Sequence, residues 1–193
     1  MTNKDLCNYI FELGALKKFR HSGFKFAGVM NPDSIAEHAY RAAMIAYLLA
    51  KMEKHNNPEK VAFMCLIHDN AEARISDLHK IAQRYIDPRK AEMKAYKDQT
   101  KKLPKDVQKD FIKYFEEYEN QNTEEGILIR DADLLETAFQ AKEYLDLGYN
   151  ACQNWISNTE SLLKTKSAKK LINAMKKTKF TDWFAGLKKL SHN

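Results

Sequence analysis

Glycine and proline are scarce in this chain of 193 residues, which has 6 Gly and 4 Pro. Because these residues punctuate hairpins and tight turns, their scarcity argues against a strand-rich fold and favours helices. Long apolar runs are missing as well, and no stretch approaches the ~20 residues that a membrane-spanning helix needs. The first residues are polar, so we also expect no secretory signal. We therefore predict a soluble, helical protein without a membrane segment.

The three cysteines are too few and too far apart to form a disulfide framework. Cys7, Cys65 and Cys152 are odd in number and include no Cys-x-x-Cys motif. Disulfide frameworks are typical of small secreted domains, whereas isolated reduced thiols are typical of intracellular proteins. We predict a cytoplasmic protein whose cysteines stay reduced.

The net charge of +6 is distributed unevenly. From residue 164 to the end there are nine Lys against one acid, Asp182, which gives +8 and leaves −2 for the rest. A basic segment of this kind can bind nucleic acid. Here, however, the lysines alternate with apolar residues at helical spacing and no Arg is present. We interpret the segment as the solvated face of a helix and do not expect nucleic-acid binding.

Apolar residues at helical spacing are what the sequence does contain. Thr2 can cap a first helix. The buried face of that helix would comprise Leu6, Tyr9, Ile10 and Leu13. Ser34 and Glu37 have the spacing of a capping box and begin a helix that runs to about residue 54. Asn57 and Pro58 suit the cap and first residue of the next helix.

Further helices are predicted over about 88–102, 104–120 and 124–148, followed by shorter ones. The first two of these are highly charged, which is typical of a lid or a flank. Strand patterns, repeats and low-complexity tracts are missing from the sequence. We predict an all-α, single-domain helical bundle over residues 1–193 with roughly eight helices. Its core would cover about 10–148, and the C-terminal helices in 149–193 would be accessory.

The apolar helix behind Pro58 leads into a polar stretch, His68-Asp69-Asn70-Ala71-Glu72. If the helix continues, His68 and Glu72 share a face because residues i and i+4 lie together. Asp69 would then point about 100° away. An imidazole and two carboxylates are costly to bury unless something pairs with them. A divalent cation is the simplest partner, so we predict a metal site.

The remaining ligands must come from other helices. His38 lies in the first turn of the helix that begins at Ser34, and Asp133 interrupts an otherwise apolar helix. Asp131 competes with Asp133, because a two-residue step turns about 200° on a helix and only one can face the site. The candidate ligands are His38, His68, Asp69 and Asp133. Two imidazoles and two carboxylates suit Mn²⁺, Fe²⁺, Co²⁺ or Zn²⁺.

These motifs resemble those of the HD-domain metal-dependent phosphohydrolases. The matching features are His38, the His68-Asp69 pair and Asp133 in an Asp-Ala-Asp-Leu context. The runs Ser-Ile-Ala-Glu-His and His-Asp-Asn-Ala-Glu, with the later Asp77, are similar to the 5′-deoxynucleotidase branch. The resemblance covers about residues 10–148. It implies an HD domain that acts as a homodimeric phosphomonoesterase, releasing phosphate from (deoxy)nucleoside 5′-monophosphates through metal-activated water.

The resemblance also implies roles for individual residues. One divalent ion (Mn, Co, Fe, Zn or Mg) would be bound by His38, His68, Asp69 and Asp133. Glu72, as general base, and Asp69 would be catalytic. The substrate-binding residues would be Arg20 for the phosphate, Asp77 near the sugar, and Phe24. Phe24 departs from the branch pattern, which places Trp there, so deoxyribose selectivity does not follow from the resemblance.

Other interpretations stay open for these residues and for the function. Glu72 could only cap or pair with Arg74, Asp77 could cap the next turn, and Arg20 could be a surface residue. Alternative substrates of an HD-type hydrolase are a phosphodiester, a guanosine polyphosphate or a nucleoside triphosphate. A non-enzymatic alternative is a nucleic-acid-binding module that uses the Lys-rich C-terminus.

Overall fold

Ten α-helices joined by turns and short 3-10 helices make up residues 1–187, the part of the chain that the computed structural model describes. They are α1 (Asn3–Leu13), α2 (Ile35–Met52), α3 (Pro58–Ile67), α4 (Glu72–Ile75), α5 (Pro88–Thr100), α6 (Lys105–Asn120), α7 (Glu124–Asp146), α8 (Gln153–Leu162), α9 (Lys166–Met175) and α10 (Asp182–Ala185). Eight of these have ten or more residues, which confirms the predicted all-α fold of roughly eight helices. None of the helices in residues 1–187 combines the length and apolar character needed to cross a bilayer. Lys188 and Lys189 of the Lys-rich segment lie outside the described residues.

Side-chain caps fix where the long helices begin, as the sequence predicts. Ser34 Oγ accepts a hydrogen bond from the backbone N–H of Glu37 (3.2 Å), and Glu37 Oε2 accepts one from the N–H of Ser34 (2.6 Å). Asn57 caps α3 and Thr123 caps α7 through their side-chain oxygens. Each cap satisfies backbone donors that the first helical turn leaves free.

The predicted buried face of the first helix was wrong. Thr2 caps α1, but none of the helix's residues is buried, and Ile10 is 58% exposed. The following 3-10 turn is anchored instead, since Leu16 packs with Ile35 and Ala73 in a small core. Apolar periodicity identifies which face of a helix is apolar, but not whether another element covers it.

The helix that carries the His-Asp pair ends earlier than predicted. α3 stops at Ile67, residues 68–71 form a turn, and α4 starts at Glu72. The carbonyl of Cys65 accepts hydrogen bonds from both the backbone N–H (3.5 Å) and Nδ1 (2.5 Å) of His68. Because a side chain takes this carbonyl, the regular helical ladder is interrupted. His68 and Glu72 therefore do not share one continuous helix face, and that prediction was wrong.

α7 is the central helix and contacts α2, α3, α6, α8 and α9. The main core contains buried side chains from α2, α3, α7, α8 and α9. They include Ala42, Leu49, Met64, Ala132, Leu135, Ile156 and Ile172. Small alanines on the facing sides of α2 and α7 allow close packing, which leaves those backbones little freedom. This shared core holds α2, α7 and the end of α3 in a fixed relation.

Candidate active site

Four polar side chains bring their ligand atoms to one small volume at the centre of the bundle. His38 Nε2, on α2, lies 3.3 Å from Asp133 Oδ1 and 3.6 Å from Asp69 Oδ2. His68 Nε2, in the turn after α3, lies 3.1 Å from Asp69 Oδ2 and 3.8 Å from Asp133 Oδ1. Ions of the first transition row take ligands at roughly 2.0–2.2 Å, so ligand atoms around one ion lie at separations of this order. The structure brings all four predicted ligands together.

The two imidazoles have the bonding pattern of metal ligands. Their Nε2 atoms are buried and make no hydrogen bond in the described part of the chain. Their Nδ1 atoms are occupied, by Glu136 Oε2 (2.5 Å) for His38 and by the Cys65 carbonyl (2.5 Å) for His68. Buried polar atoms are rarely left unsatisfied, and metal-bound histidines commonly bond a carboxylate or carbonyl through the other nitrogen. The residues present therefore fit a divalent ion.

The electrostatics of the cluster favour positive charge. Burial lowers the pKa of His38, but the carboxylates of Glu136 and Asp133 outweigh burial and raise this pKa well above its ordinary value. For Asp133, burial raises the pKa, but the adjacent imidazoles of His38 and His68 and the nearby Arg130 outweigh it and hold the pKa well below its usual range. A cluster that stabilises protons on its imidazoles also attracts a divalent cation to the same place.

Asp133 and Asp131 have separate functions on α7. Asp133 Oδ2 accepts hydrogen bonds from Arg130 Nη1 (2.8 Å) and Tyr118 OH (2.9 Å), which leaves Oδ1 directed at the histidines. Asp131 lies on the other side of the helix and is fully buried. Its carboxylate accepts from the backbone N–H of Lys164 (2.9 Å) and from the N–H and hydroxyl of Thr165 (both 2.7 Å), just before α9.

Glu136 is a buried charged residue that was not predicted from the sequence. It is 1% exposed, and while Oε2 bonds His38, Oε1 accepts from Arg41 Nε (2.8 Å). Arg41 also donates to Gln140 Oε1 (2.7 Å) and Glu143 Oε1 (2.5 Å). A signal was available, because Arg41 follows His38 by three residues and Glu136 follows Asp133 by three. On a helix this spacing puts both members of a pair on one face.

Glu72 contributes a buried carboxylate oxygen to the site. Its Oε2 is buried and makes no hydrogen bond within residues 1–187, and it lines the cleft described below. Arg74, the alternative partner considered from the sequence, pairs with Glu12 instead. Burial and the carboxylates of Asp69 and Asp77 raise the pKa of Glu72 well above its ordinary value. Within residues 1–187, Oε2 therefore remains available for a hydrogen bond to a bound ligand.

A cleft of about 850 Å³ opens over the ligand cluster. Of the predicted substrate residues, Asp77 and Phe24 line it and Arg20 does not. Arg20 Nη1 donates to the Pro32 carbonyl (3.2 Å) and to Glu37 Oε2 (3.1 Å). Glu37 therefore does more than complete the capping box. The role of Arg20 in holding phosphate stays a prediction.

The loop before α2 is held against the site by Asp77 and Phe24. Asp77 Oδ2 accepts hydrogen bonds from the backbone N–H (2.6 Å) and the hydroxyl (2.9 Å) of Ser22. Asp77 therefore holds this loop and, within residues 1–187, does not cap the turn that follows it. Phe24 is 2% exposed and stacks on Trp155, with ring centroids 5.3 Å apart. Both residues shape the wall of the cleft.

His21 also lines the cleft and was not singled out from the sequence. Its Nδ1 lies 2.8 Å from Asp33 Oδ2, and its ring packs edge-on against His38 at a centroid distance of 4.7 Å. Burial lowers the pKa of His21, but Asp33 outweighs it and the pKa is raised. The Asp33 backbone N–H in turn donates to Tyr144 OH (3.0 Å), which joins this loop to α7.

Comparison with known proteins identifies the class to which this fold and site belong. The family model described as the HD domain matches residues 13–176, and the chain belongs to this family of hydrolases.

The 5′-deoxynucleotidase HDDC2 of Bos taurus is 33% identical over 148 residues, which cover 75% of this chain and 70% of that protein. The 5′-deoxynucleotidase HDDC2 of Dictyostelium discoideum is 32% identical over 140 residues, 68% of this chain and 73% of that protein. The solved structure of a conserved hypothetical protein from Pyrococcus furiosus is similar with a TM-score of 0.76 and 34% identity, covering 89% of this chain and 99% of that one. The predicted family and the predicted enzyme class, a metal-dependent phosphohydrolase, are confirmed.

Proposed function

We propose that this protein is a divalent-metal-dependent phosphomonoesterase that releases phosphate from (deoxy)nucleoside 5′-monophosphates. The observation that carries the proposal is the set of ligand atoms 3.1–3.8 Å apart at the base of a cleft of about 850 Å³. A cleft of this volume is in the range that binds ligands larger than free phosphate. The substrate class is supported by similarity to relatives named 5′-deoxynucleotidase.

The chain supplies the residues that hold the ion and position the reactants. When bound by His38, His68, Asp69 and Asp133, a divalent ion supplies Lewis-acid chemistry, lowering the pKa of a water and neutralising phosphate oxygens. Glu72 Oε2, buried and without a partner in residues 1–187, is placed to accept the proton of the attacking water. We assign Asp77 and Phe24 to the sugar side of the substrate. We assign Asp69 both of its predicted roles, as a metal ligand and as a catalytic residue.

We infer that one ion is bound and that Mn, Fe, Co and Zn fit better than Mg. Two imidazoles are among the four donors, and Mg²⁺ prefers oxygen ligands. We also propose that the enzyme is a cytoplasmic, single-domain homodimer. Its three cysteines are free, as expected in a reducing compartment, and α2 carries an apolar surface suited to a second copy.

The proposed activity is tested by phosphate release from the four 2′-deoxynucleoside 5′-monophosphates. Turnover is expected to disappear on chelation and to return with Mn²⁺ or Co²⁺. A panel that includes a phosphodiester, a guanosine polyphosphate and a nucleoside triphosphate tests the other HD-type activities. Release from one of those alone would contradict the assigned substrate class.

Glu72→Gln is expected to lower turnover by about 10²–10⁴-fold, because the proton acceptor is lost. Metal affinity, measured by calorimetry, should stay within a few-fold, since Glu72 is not among the four ligands. Glu12→Gln makes the same chemical change at a carboxylate that pairs with Arg74, and should leave turnover intact. Unchanged turnover in Glu72→Gln would remove Glu72 from the mechanism.

A further inference from the structure

The cleft extends well beyond the metal ligands, and α8 forms one of its walls. α7 contributes Asp133, Leu134 and Thr137 to the lining, and α8 contributes a further set of residues. A substrate that places its phosphate at the ligand cluster must therefore accommodate the rest of its atoms further along the cleft. The α8 wall is one of the surfaces that the remainder of the substrate can contact.

One face of α8 lines this part of the cleft. The residues are Asn154, Trp155, Asn158, Thr159 and Leu162, which share a face because they recur at about one-turn spacing. Asn is a poor residue for a helix interior, where its amide competes with backbone hydrogen bonding. Both asparagines are exposed. Side-chain hydrogen bonds on α8 involve neighbours such as Gln153 and Ser157, and within residues 1–187 neither Asn side-chain amide takes part in one.

Trp155 fixes this face relative to the catalytic end. Its ring stacks on Phe24 at 5.3 Å with an interplanar angle of 27°, and Phe24 also packs edge-on against Tyr144 at 5.1 Å. Phe24 and His21 belong to the same loop, and the ring of His21 packs against the ring of His38. The amides of α8 are thus presented by a rigid, aromatic-packed wall, as expected for a pre-formed binding surface.

The α8 side of the cleft is not built to bind phosphate. None of the five residues that α8 contributes to the lining is charged. Toward the cleft, this helix presents an aromatic ring and two neutral amides, and each amide offers donors and an acceptor. A planar heterocycle with donors and acceptors on its edge matches this combination.

We propose that the α8 face recognises the nucleobase of the substrate. Asn154 and Asn158 hydrogen-bond the edge of the base, and Trp155 contacts it beside them. The inference rests on the proposed function, because it takes the phosphate to lie at the ligand cluster. It makes these two asparagines the residues that determine base preference, while Asp77 and Phe24 act on the sugar side.

The test measures binding of the four 2′-deoxynucleosides to the metal-loaded protein by chemical-shift titration. Nucleosides lack phosphate and cannot be hydrolysed, so base recognition is measured apart from turnover. We expect the dissociation constants to differ between bases. In the double variant Asn154→Leu/Asn158→Leu, the preferred nucleoside should bind about 10-fold more weakly, corresponding to one or two lost hydrogen bonds, and the four constants should converge.

Gln153→Leu is the matched control, since it removes an exposed amide from the same helix at a position that does not line the cleft. It should keep the base preference of the parent protein. Equal affinities for all four nucleosides, or a preference that survives the double substitution, would overturn the inference. Base preference that needs both asparagines, in a protein that releases no phosphate from nucleotides, would support the α8 assignment and contradict the phosphomonoesterase.

Discussion

At the scale of single residues, Glu136 shows how the chain prepares a ligand. A buried carboxylate is costly unless both oxygens are satisfied. Here Oε1 accepts from Arg41 and Oε2 is bonded to Nδ1 of His38. With a proton on Nδ1, the lone pair of His38 Nε2 is left for the ion, and the ring cannot rotate freely. Glu136 thus acts as a positioning residue through His38.

Glu136→Gln is therefore expected to weaken divalent-metal binding about 10- to 100-fold, the usual range for a lost partner of a metal-bound histidine. Calorimetric titration with Mn²⁺ or Co²⁺ measures this directly. Glu143→Gln is the matched control. Glu143 also accepts a hydrogen bond from Arg41 (2.5 Å), but within residues 1–187 it makes none with His38. Equal losses in both variants would show that the charge of the network matters, and that orientation of His38 does not.

Glu92, on the cleft wall, gives a pH-dependent contribution to stability. Burial, followed by the carboxylates of Glu119 and Asp69, raises the pKa of Glu92 from 4.5 to about 7. The folded protein then holds this proton more tightly than the unfolded chain. The contribution to stability is fully present below pH 4.5 and is lost as the pH rises toward 7.

Above its raised pKa, Glu92 must be ionised in its partly buried position, which costs stability, and Glu92→Gln should remove this cost. In chelator-treated protein at pH 8 we expect the variant to be more stable than the parent by about 1–2 kcal/mol, reduced from the full shift because the side chain is partly exposed. Near pH 4 the two should unfold at the same denaturant concentration. A constant difference between pH 4 and pH 8 would assign the effect to packing and not to charge.

At the scale of elements, local signals predicted the helix starts and missed features that depend on distant parts of the chain. Ser34 and Asn57 cap their helices as expected, because a cap needs only residues within one turn. The exposed face of α1 and the early end of α3 were not predictable in this way. The first depends on what packs nearby, and the second on a side-chain bond from His68 to the Cys65 carbonyl.

The candidate site divides along the same line. The four ligands were found because His-Asp adjacency and family motifs are visible in the sequence. Glu136 and the His21–Asp33 pair were missed, because their importance depends on which loop and helix faces meet His38. Helical spacing alone did not separate Asp131 from Asp133, and Asp133 was chosen on the family resemblance; the opposite surroundings of the two residues on α7 agree with that choice.

That separation gives a paired test. Asp131→Ala should destabilise the protein by about 1–2 kcal/mol, because it leaves the N–H groups before α9 without their charged acceptor. Its metal affinity should be unchanged. Asp133→Ala should lose metal binding, because one of the four ligands is removed; it also leaves Arg130 and Tyr118 without their shared acceptor, so it should destabilise the metal-free protein as well. Denaturant unfolding and metal titration of both variants measure the contrast, and loss of metal by Asp131→Ala would contradict it.

At the scale of the whole molecule, α2 has two different faces. One packs in the core through residues such as Ala42, Ala46 and Leu49 and carries His38 to the site. The other presents an apolar row to the outside: Tyr40, Met44, Leu48 and Met52, each at least 50% exposed. The four-residue spacing makes this a continuous stripe along the helix. Contiguous exposed apolar surface of this kind marks interaction sites in folded proteins.

If this stripe is where the proposed homodimer forms, Met44→Glu/Leu48→Glu should convert the dimer to a monomer, because association would bury two carboxylates per subunit in an apolar interface. Light scattering coupled to size exclusion measures the mass directly. Phe11→Glu is the control, since Phe11 is 80% exposed on α1 and lies outside the stripe.

A parent protein that is already monomeric would contradict the homodimer, whereas a double variant that stays dimeric would place the interface elsewhere. Because the buried face of α2 holds His38, loss of the partner would also test whether pairing of subunits stabilises the metal site, through a lower metal affinity of the monomer.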